Sequence, residues 1–285
     1  MVKTPDGWAP SEDYISGKLA AWLSDQYQLI YHLPLMDSSQ LQLEHWQSLL
    51  RMLRTDYQQY RATILLFGTD TLAYSAALMR LFLPRDHSWV LTGSQQPWSE
   101  QGSDADDNIE LAINACRYPG TWIAFGGKIL NGINCFKSDC NSPAAFQSRR
   151  EPAQIPFAIH KDLNEVRYQV LVCTPGQEYG LPAQGIEAVI IEGYGMGNLP
   201  FSPSLRTYLE ALPANCLLLI SSQCAFGMVD LEHYASNHEL ANYRPISTKG
   251  ARLEAVIAGL YAAFSHSSDP SERHHWLSNY FAGWH

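Results

Sequence analysis

Between Ser39 and Tyr57 the apolar residues Leu41, Leu43, Trp46, Leu49, Leu50 and Leu53 recur at helical spacing, which predicts an amphipathic helix. Ser38 or Ser39 is positioned to cap it. The next apolar stretch, Thr63-Ile64-Leu65-Leu66-Phe67, is continuous and stops at Gly68, the pattern of a buried parallel strand. A polar turn, Gly68-Thr69-Asp70-Thr71, leads into a second predicted helix from Leu72 to Phe82, stopped before Pro84. Trp89 to Gly93 reads as the next strand. A helix through Ile109, Leu111, Ala112 and Ala115 follows, and then a strand from Trp122 to Phe125. Repetition of strand, turn and helix predicts an open α/β sheet with right-handed crossovers. Such sheets hold ligands at the carboxyl ends of their strands, where the turn at 68–71 sits.

From Asn141 to Asn164 the pattern breaks. Ser142-Pro143, Arg149-Arg150-Glu151-Pro152 and Ile155-Pro156 punctuate it, as in a linker between domains. Beyond it, Val166–Cys173 is strand-like. Strands at 187–191 and 216–220, a helix at 202–212 and a final helix from Leu253 to Phe264 continue the alternation. The expected organisation is an N-terminal α/β domain over residues 1–150, a linker over 151–164 and a C-terminal α/β domain over 165–285.

Composition narrows the partners. Nineteen basic against 28 acidic residues give a net charge of −9, the wrong sign for a nucleic-acid backbone or an anionic membrane. Charged residues make up only 16% of the chain, so apolar surface is left over for an oligomer interface. No apolar run approaches the length of a membrane span, and the N-terminus has no apolar signal region. Six cysteines without a CxxC pair are expected to be reduced thiols. A cytoplasmic protein without metal or cofactor is the expectation.

Among short motifs, Gly68-Thr69-Asp70-Thr71 is the best candidate: a hydroxyl beside a carboxylate at a strand end can hold a polar substrate. Its plain alternative is a helix cap. Lys137 follows apolar residues, and burial would let it accept a proton; taken alone, such a lysine is more often on the surface. Asp37-Ser38-Ser39 is most simply a cap. Gly193-Tyr194-Gly195-Met196-Gly197-Asn198 fails the dinucleotide fingerprint, because Asn198 occupies the third glycine position.

Taken together and in order, these segments resemble the bacterial cytoplasmic type I L-asparaginases. The resemblance rests on Pro34-Leu35-Met36-Asp37-Ser38-Ser39, Phe67-Gly68-Thr69-Asp70-Thr71-Leu72-Ala73-Tyr74 and Leu91-Thr92-Gly93-Ser94-Gln95-Gln96-Pro97. Asp107-Asn108, Gly126-Gly127-Lys128 through Lys137, the 193–198 loop, and Ser222-Gln223-Cys224 with Gly227 extend it. It implies a two-domain α/β enzyme, the N-terminal parallel-sheet domain the larger, that hydrolyses asparagine to aspartate and ammonia as a homodimer or homotetramer. By the same resemblance Thr69, Asp70 and Lys137 match a catalytic triad in which the lysine helps the threonine pass a proton. Asp70 would also hold the substrate α-amino group, and Asp37, Ser38 and Ser39 the α-carboxylate.

Two departures accompany the match. In the family a buried strand ending Thr-Gly-Gly-Thr-Ile-Gly precedes the corresponding methionine, and its first threonine forms the acyl-enzyme; here Met1 is followed by Val2-Lys3-Thr4-Pro5. Cys135-Phe136 stand before Lys137 where the family usually has two threonines. The 285-residue chain is therefore expected to hydrolyse asparagine poorly or not at all. Two readings stay open: an amidohydrolase whose given sequence lacks its true start, and a non-catalytic relative that binds an amino acid or pairs with another subunit. Thr4, ahead of Pro5 in an expected loop, is no replacement nucleophile.

Overall fold

The structure is a computed structural model that describes residues 1–5, 7–20, 27–32, 35–150, 152 and 161–284. The chain divides into two compact units, Met1–Ser148 and Arg149–His285. Most of the expected linker, 151–164, lies outside the described residues.

Unit 1 opens with a hairpin, β1 (Val2–Thr4) and β2 (Gly7–Ala9), and a helix, α1 (Glu12–Leu19), capped by Ser11. The long predicted helix is α2 (Leu43–Asp56), shorter at its start than expected. Ser38 and Ser39 do not cap it; they form a separate 3-10 turn at Ser38–Gln40, and Gln42 is the N-cap. The central sheet comprises β3 (Ala62–Leu66), β4 (Ser88–Thr92), β5 (Gly120–Phe125) and β6 (Lys128–Asn131), in that spatial order. The first three are parallel, and β6 returns antiparallel. Helices α3 (Leu72–Phe82) and α4 (Ala105–Ala115) make the crossovers. A second hairpin, β7 (Cys135–Lys137) with β8 (Phe146–Ser148), completes the unit.

Two expectations change here. The apolar run read as a buried strand is β3, an edge strand among the described residues: Leu65 is buried, the residues before it are partly exposed and Leu66 is 40% exposed. The crossovers also do not share one hand. Ala112 and Ala115 of α4 meet Val90 and Ala124 on one face of the sheet. Ala76 of α3 and Thr121 converge beside Gly132 on the other, since Thr121 and Trp122 project oppositely and Ala124 shares Trp122's face. Parallel strands laid down in one direction with crossover helices on opposite faces require crossovers of opposite hand, so one is left-handed, against the usual rule. The arrangement covers both apolar faces of the sheet. α3, buried on nearly every side, lies between the sheet and α2, while the amphipathic α4 forms the opposite layer.

Unit 2 is a parallel sheet in the order β12-β11-β10-β9, built from β9 (Tyr168–Val172), β10 (Ala188–Gly193), β11 (Leu217–Ser222) and β12 (Ile246–Ser247). Helix α5 (Pro203–Glu210) seals a core of Val189, Ile191, Leu205, Tyr208 and Ile220. Helix α6 (Leu253–His266) is buried from Glu254 to Ser265 and is followed by α7 (Pro270–Ala282), which the sequence pattern did not reveal. A side chain at Gly259 would run into the Tyr280 ring, so glycine there lets α7 lie against α6.

Glu254, in the first turn of α6, is 7% exposed, and its Oε2 has no hydrogen-bond partner among the described residues. Burial pushes its carboxyl above the ordinary range; a backbone hydrogen bond and Arg252 oppose this, and Glu192 adds to it. A raised folded-state value means the native state holds the proton more tightly than the unfolded chain does. The stabilising contribution is full below the unfolded-state value and is lost as pH rises through the folded-state value. Glu254→Gln is therefore expected to raise the Tm by about 2–4 °C at pH 7.5 and to make little difference near pH 4. Equal shifts at both pH values in a thermal melt would refute this.

Candidate active site

The turn after β3 and the end of β7 meet at the candidate site. Lys137 is the last residue of β7, held by the antiparallel partner β8 and preceded by buried Cys135 and Phe136. Its Nζ donates to Thr69 Oγ1 at 2.9 Å and to Asp70 Oδ1 at 2.9 Å, across 68 and 67 residues of sequence. The Lys137 side chain is 22% exposed and that of Asp70 59%, so the pair lies at the rim of the fold, open to a small solute.

This geometry separates the two readings of the 68–71 turn. The N-cap of α3 is Thr71, and its side chain caps nothing. The Thr71 hydroxyl donates instead to the Ser38 carbonyl at 3.0 Å. Thr69 and Asp70 turn toward Lys137. The residues ahead of α3 thus hold a lysine and a neighbouring turn.

Ser38 is buried against that same turn, and a side chain at Gly68 would collide with it. Asp37 is exposed and accepts the Ser39 N–H at 2.9 Å, so Asp37 does act as the cap of its short turn. Ser39 is exposed beside it. Thr69, Asp70 and Lys137 are in direct contact; Asp37, Ser38 and Ser39 join them through the Thr71 bridge.

A second set of residues fixes the loop after β4. Asp104 accepts the backbone N–H groups of Gln95 and Gln96 and the Asn108 amide at 2.9 Å. Buried Asn108 also donates to Gly93 O and accepts from Gly126 N. Asp104 and Asn108 thereby tie the carboxyl ends of β4 and β5 together. The sequence reading assigned them no such role; the one available signal was an asparagine on the buried side of a helix. The 193–198 loop closes as a tight turn, with Tyr194 and Asn198 exchanging backbone hydrogen bonds. Among the described residues no group of three or more His, Cys, Asp or Glu side chains could hold a metal ion. No helix among them is long and apolar enough to cross a membrane.

Comparison with known proteins agrees with this architecture. Residues 14–169 match the family model "Asparaginase, N-terminal", and residues 170–277 match "Glutaminase/Asparaginase C-terminal domain". The chain is 29% identical over 267 residues to an L-asparaginase of Dirofilaria immitis, covering 82% of this chain and 44% of that one. It thus spans less than half the length of that relative. It is 26% identical over 303 residues to L-asparaginase 1 of Escherichia coli K12, covering 94% of this chain and 89% of that one. The structure of the thermostable L-asparaginase from Thermococcus kodakarensis superposes with a TM-score of 0.81 at 25% identity, covering 99% of this chain and 94% of that one. One family model runs through the unit that carries Thr69, Asp70 and Lys137, the other through the sheet of unit 2, and the chain belongs to the asparaginase family.

Proposed function

We propose that this protein is an L-asparaginase-like amidohydrolase that converts asparagine and water to aspartate and ammonia. The observation that carries this reading is Lys137 Nζ held at 2.9 Å from both Thr69 Oγ1 and Asp70 Oδ1. A lysine bonded to a hydroxyl can exchange a proton with it, and a carboxylate bonded to the same lysine stabilises the charged form. The exposed Asp70 carboxylate has acceptor capacity left for a substrate α-amino group, and the serines at 38 and 39 stand ready for the α-carboxylate. In this reading Lys137 and Thr69 move the proton that the leaving ammonia needs. The family likeness further supports a cytoplasmic homodimer or homotetramer.

Asp70→Asn removes the charge that would bind the amino group. The affinity for L-aspartate, measured by calorimetry without any turnover, is expected to fall by about 10- to 100-fold, the weight of one charge-assisted hydrogen bond. Unchanged affinity would remove Asp70 from the binding site.

A further inference from the structure

Asn108 of α4 is 1% exposed, and its side-chain amide reaches three separate segments. The Nδ2 group donates to Gly93 O at 3.0 Å and to Asp104 Oδ2 at 2.9 Å, which uses both of its hydrogens. Oδ1 accepts the Gly126 N–H at 2.9 Å. Gly93 and Gly126 are the first residues beyond β4 and β5, which are neighbours in the sheet.

Each of these glycines abuts one half of the group formed by Lys137, Thr69 and Asp70. A Cβ at Gly93 would fall 2.2 Å from Phe67 O and 3.9 Å from the Thr69 methyl group, so Gly93 packs on the chain that enters the 68–71 turn. Phe67 N–H also donates to Thr92 O at 2.7 Å. A Cβ at Gly126 would fall 2.6 Å from Pro143 O and 2.8 Å from Ala144 Cα, in the loop that joins β7 to β8. That loop follows directly on Lys137. Asp104 adds a second tie to it: the carboxylate holds the Gln95 N–H, and the Gln95 side chain donates to Cys140 O. The Asn108 amide thus stands between the backbone that carries Thr69 and Asp70 and the backbone that carries Lys137. Aspartate in its place would keep the acceptor for Gly126, lose both donors and face Asp104 with like charge.

We infer that Asn108 is a positioning residue for the proton transfer proposed above: it sets the distance between the turn that presents Thr69 and Asp70 and the hairpin that presents Lys137. The inference rests on that reading of the site and adds to it a residue outside the contacting group itself. A misplacement of about 1 Å between reacting groups costs about 10²-fold in rate.

The experiment compares the full chain with Asn108→Asp and with Asp104→Asn, which sets an amide donor against those of Asn108. Pulse acetylation with acetic anhydride, read at Lys137 by peptide mass spectrometry, needs no turnover, because Nζ must leave Thr69 and Asp70 to react. Lys137 is expected to label roughly 10-fold faster in both variants, the weight of one hydrogen bond. Hydrogen exchange of the buried β4 amides is expected to stay at the parent rate. In the form that releases ammonia, Asn108→Asp is expected to lower kcat by about 10²-fold and to leave KM within about threefold. Added to Lys137→Met it is expected to cost at most about threefold more, since it acts through that lysine. Asp104 is only partly buried, so Asp104→Asn decides alone if Asn108→Asp does not fold. Unchanged Lys137 labelling in the folded variants would overturn the inference. So would labelling that rises only in step with β4 exchange, which describes a residue that holds the sheet together, or a kcat loss fully additive with Lys137→Met. If no form releases ammonia, the proposed reaction fails, and the labelling still decides whether Asn108 sets the spacing.

Discussion

Ammonia release from L-asparagine is expected to rise by roughly four to six orders of magnitude when the chain is extended upstream of Met1 to restore the family's strand ending Thr-Gly-Gly-Thr-Ile-Gly, compared with the 285-residue chain. An amide carbonyl needs a hydroxyl on one face and donors for the oxyanion, and loss of a nucleophile in a protease typically costs about a millionfold. Thr69 has its oxygen engaged by Lys137 and is assigned to proton transfer. Thr4 is no substitute. It was expected in a loop and instead ends β1, where its hydroxyl donates to Gly7 O at 2.7 Å within the hairpin. Equal rates from the two forms would sink this division of labour and make Thr69 a nucleophile in its own right. If both forms are inactive and both bind L-aspartate, the non-catalytic reading prevails.

Lys137→Met in the extended form is expected to lower kcat by about 10²- to 10⁴-fold, the usual contribution of a positioned proton-transfer group. Methionine keeps the length and apolar stem of the lysine and removes its donors and charge, so packing against Phe136 and β8 should survive. The Tm is expected to move little, because an ion pair whose carboxylate is more than half exposed contributes little to stability. A kcat within a few-fold of the parent, measured by coupled ammonia assay, would take Lys137 out of the chemistry. A collapse of the Tm with the activity would recast it as a structural residue.

The contrast between these residues explains what the sequence could reveal. Helix α3 was legible to the residue, Leu72 to Phe82, because Gly68 and Pro84 bracket an unbroken apolar pattern. Helix α7 was missed: its apolar residues Leu277, Tyr280 and Phe281 are few among polar ones, although Asp269 before Pro270 is a readable start and does cap the first turn. The Ser38 and Ser39 caps were misplaced because the 3-10 turn that uses them lies within one helical turn of the true start of α2. The contact of Lys137 with Thr69 has no local signal. It depends on a hairpin, β7 with β8, that sequence periodicity cannot distinguish from a loop, and only the family resemblance pointed to it.

The opposite hands of the two crossovers have a topological result. The chain leaving β3 turns to one face of the sheet to enter α3, and the chain leaving β4 turns to the other to enter α4. The two connections therefore part above the carboxyl ends of their strands and leave a crevice between them. In most open α/β sheets such a crevice marks a switch point, where the strand order reverses. Here β3, β4 and β5 follow one another without reversal, and one left-handed connection achieves the same opening. Gly93 packs against the Phe67 backbone at the foot of that opening, and Asp104 pins the connection that follows at Gln95 and Gln96. Restoring the common hand would close that crevice without changing a single strand partner.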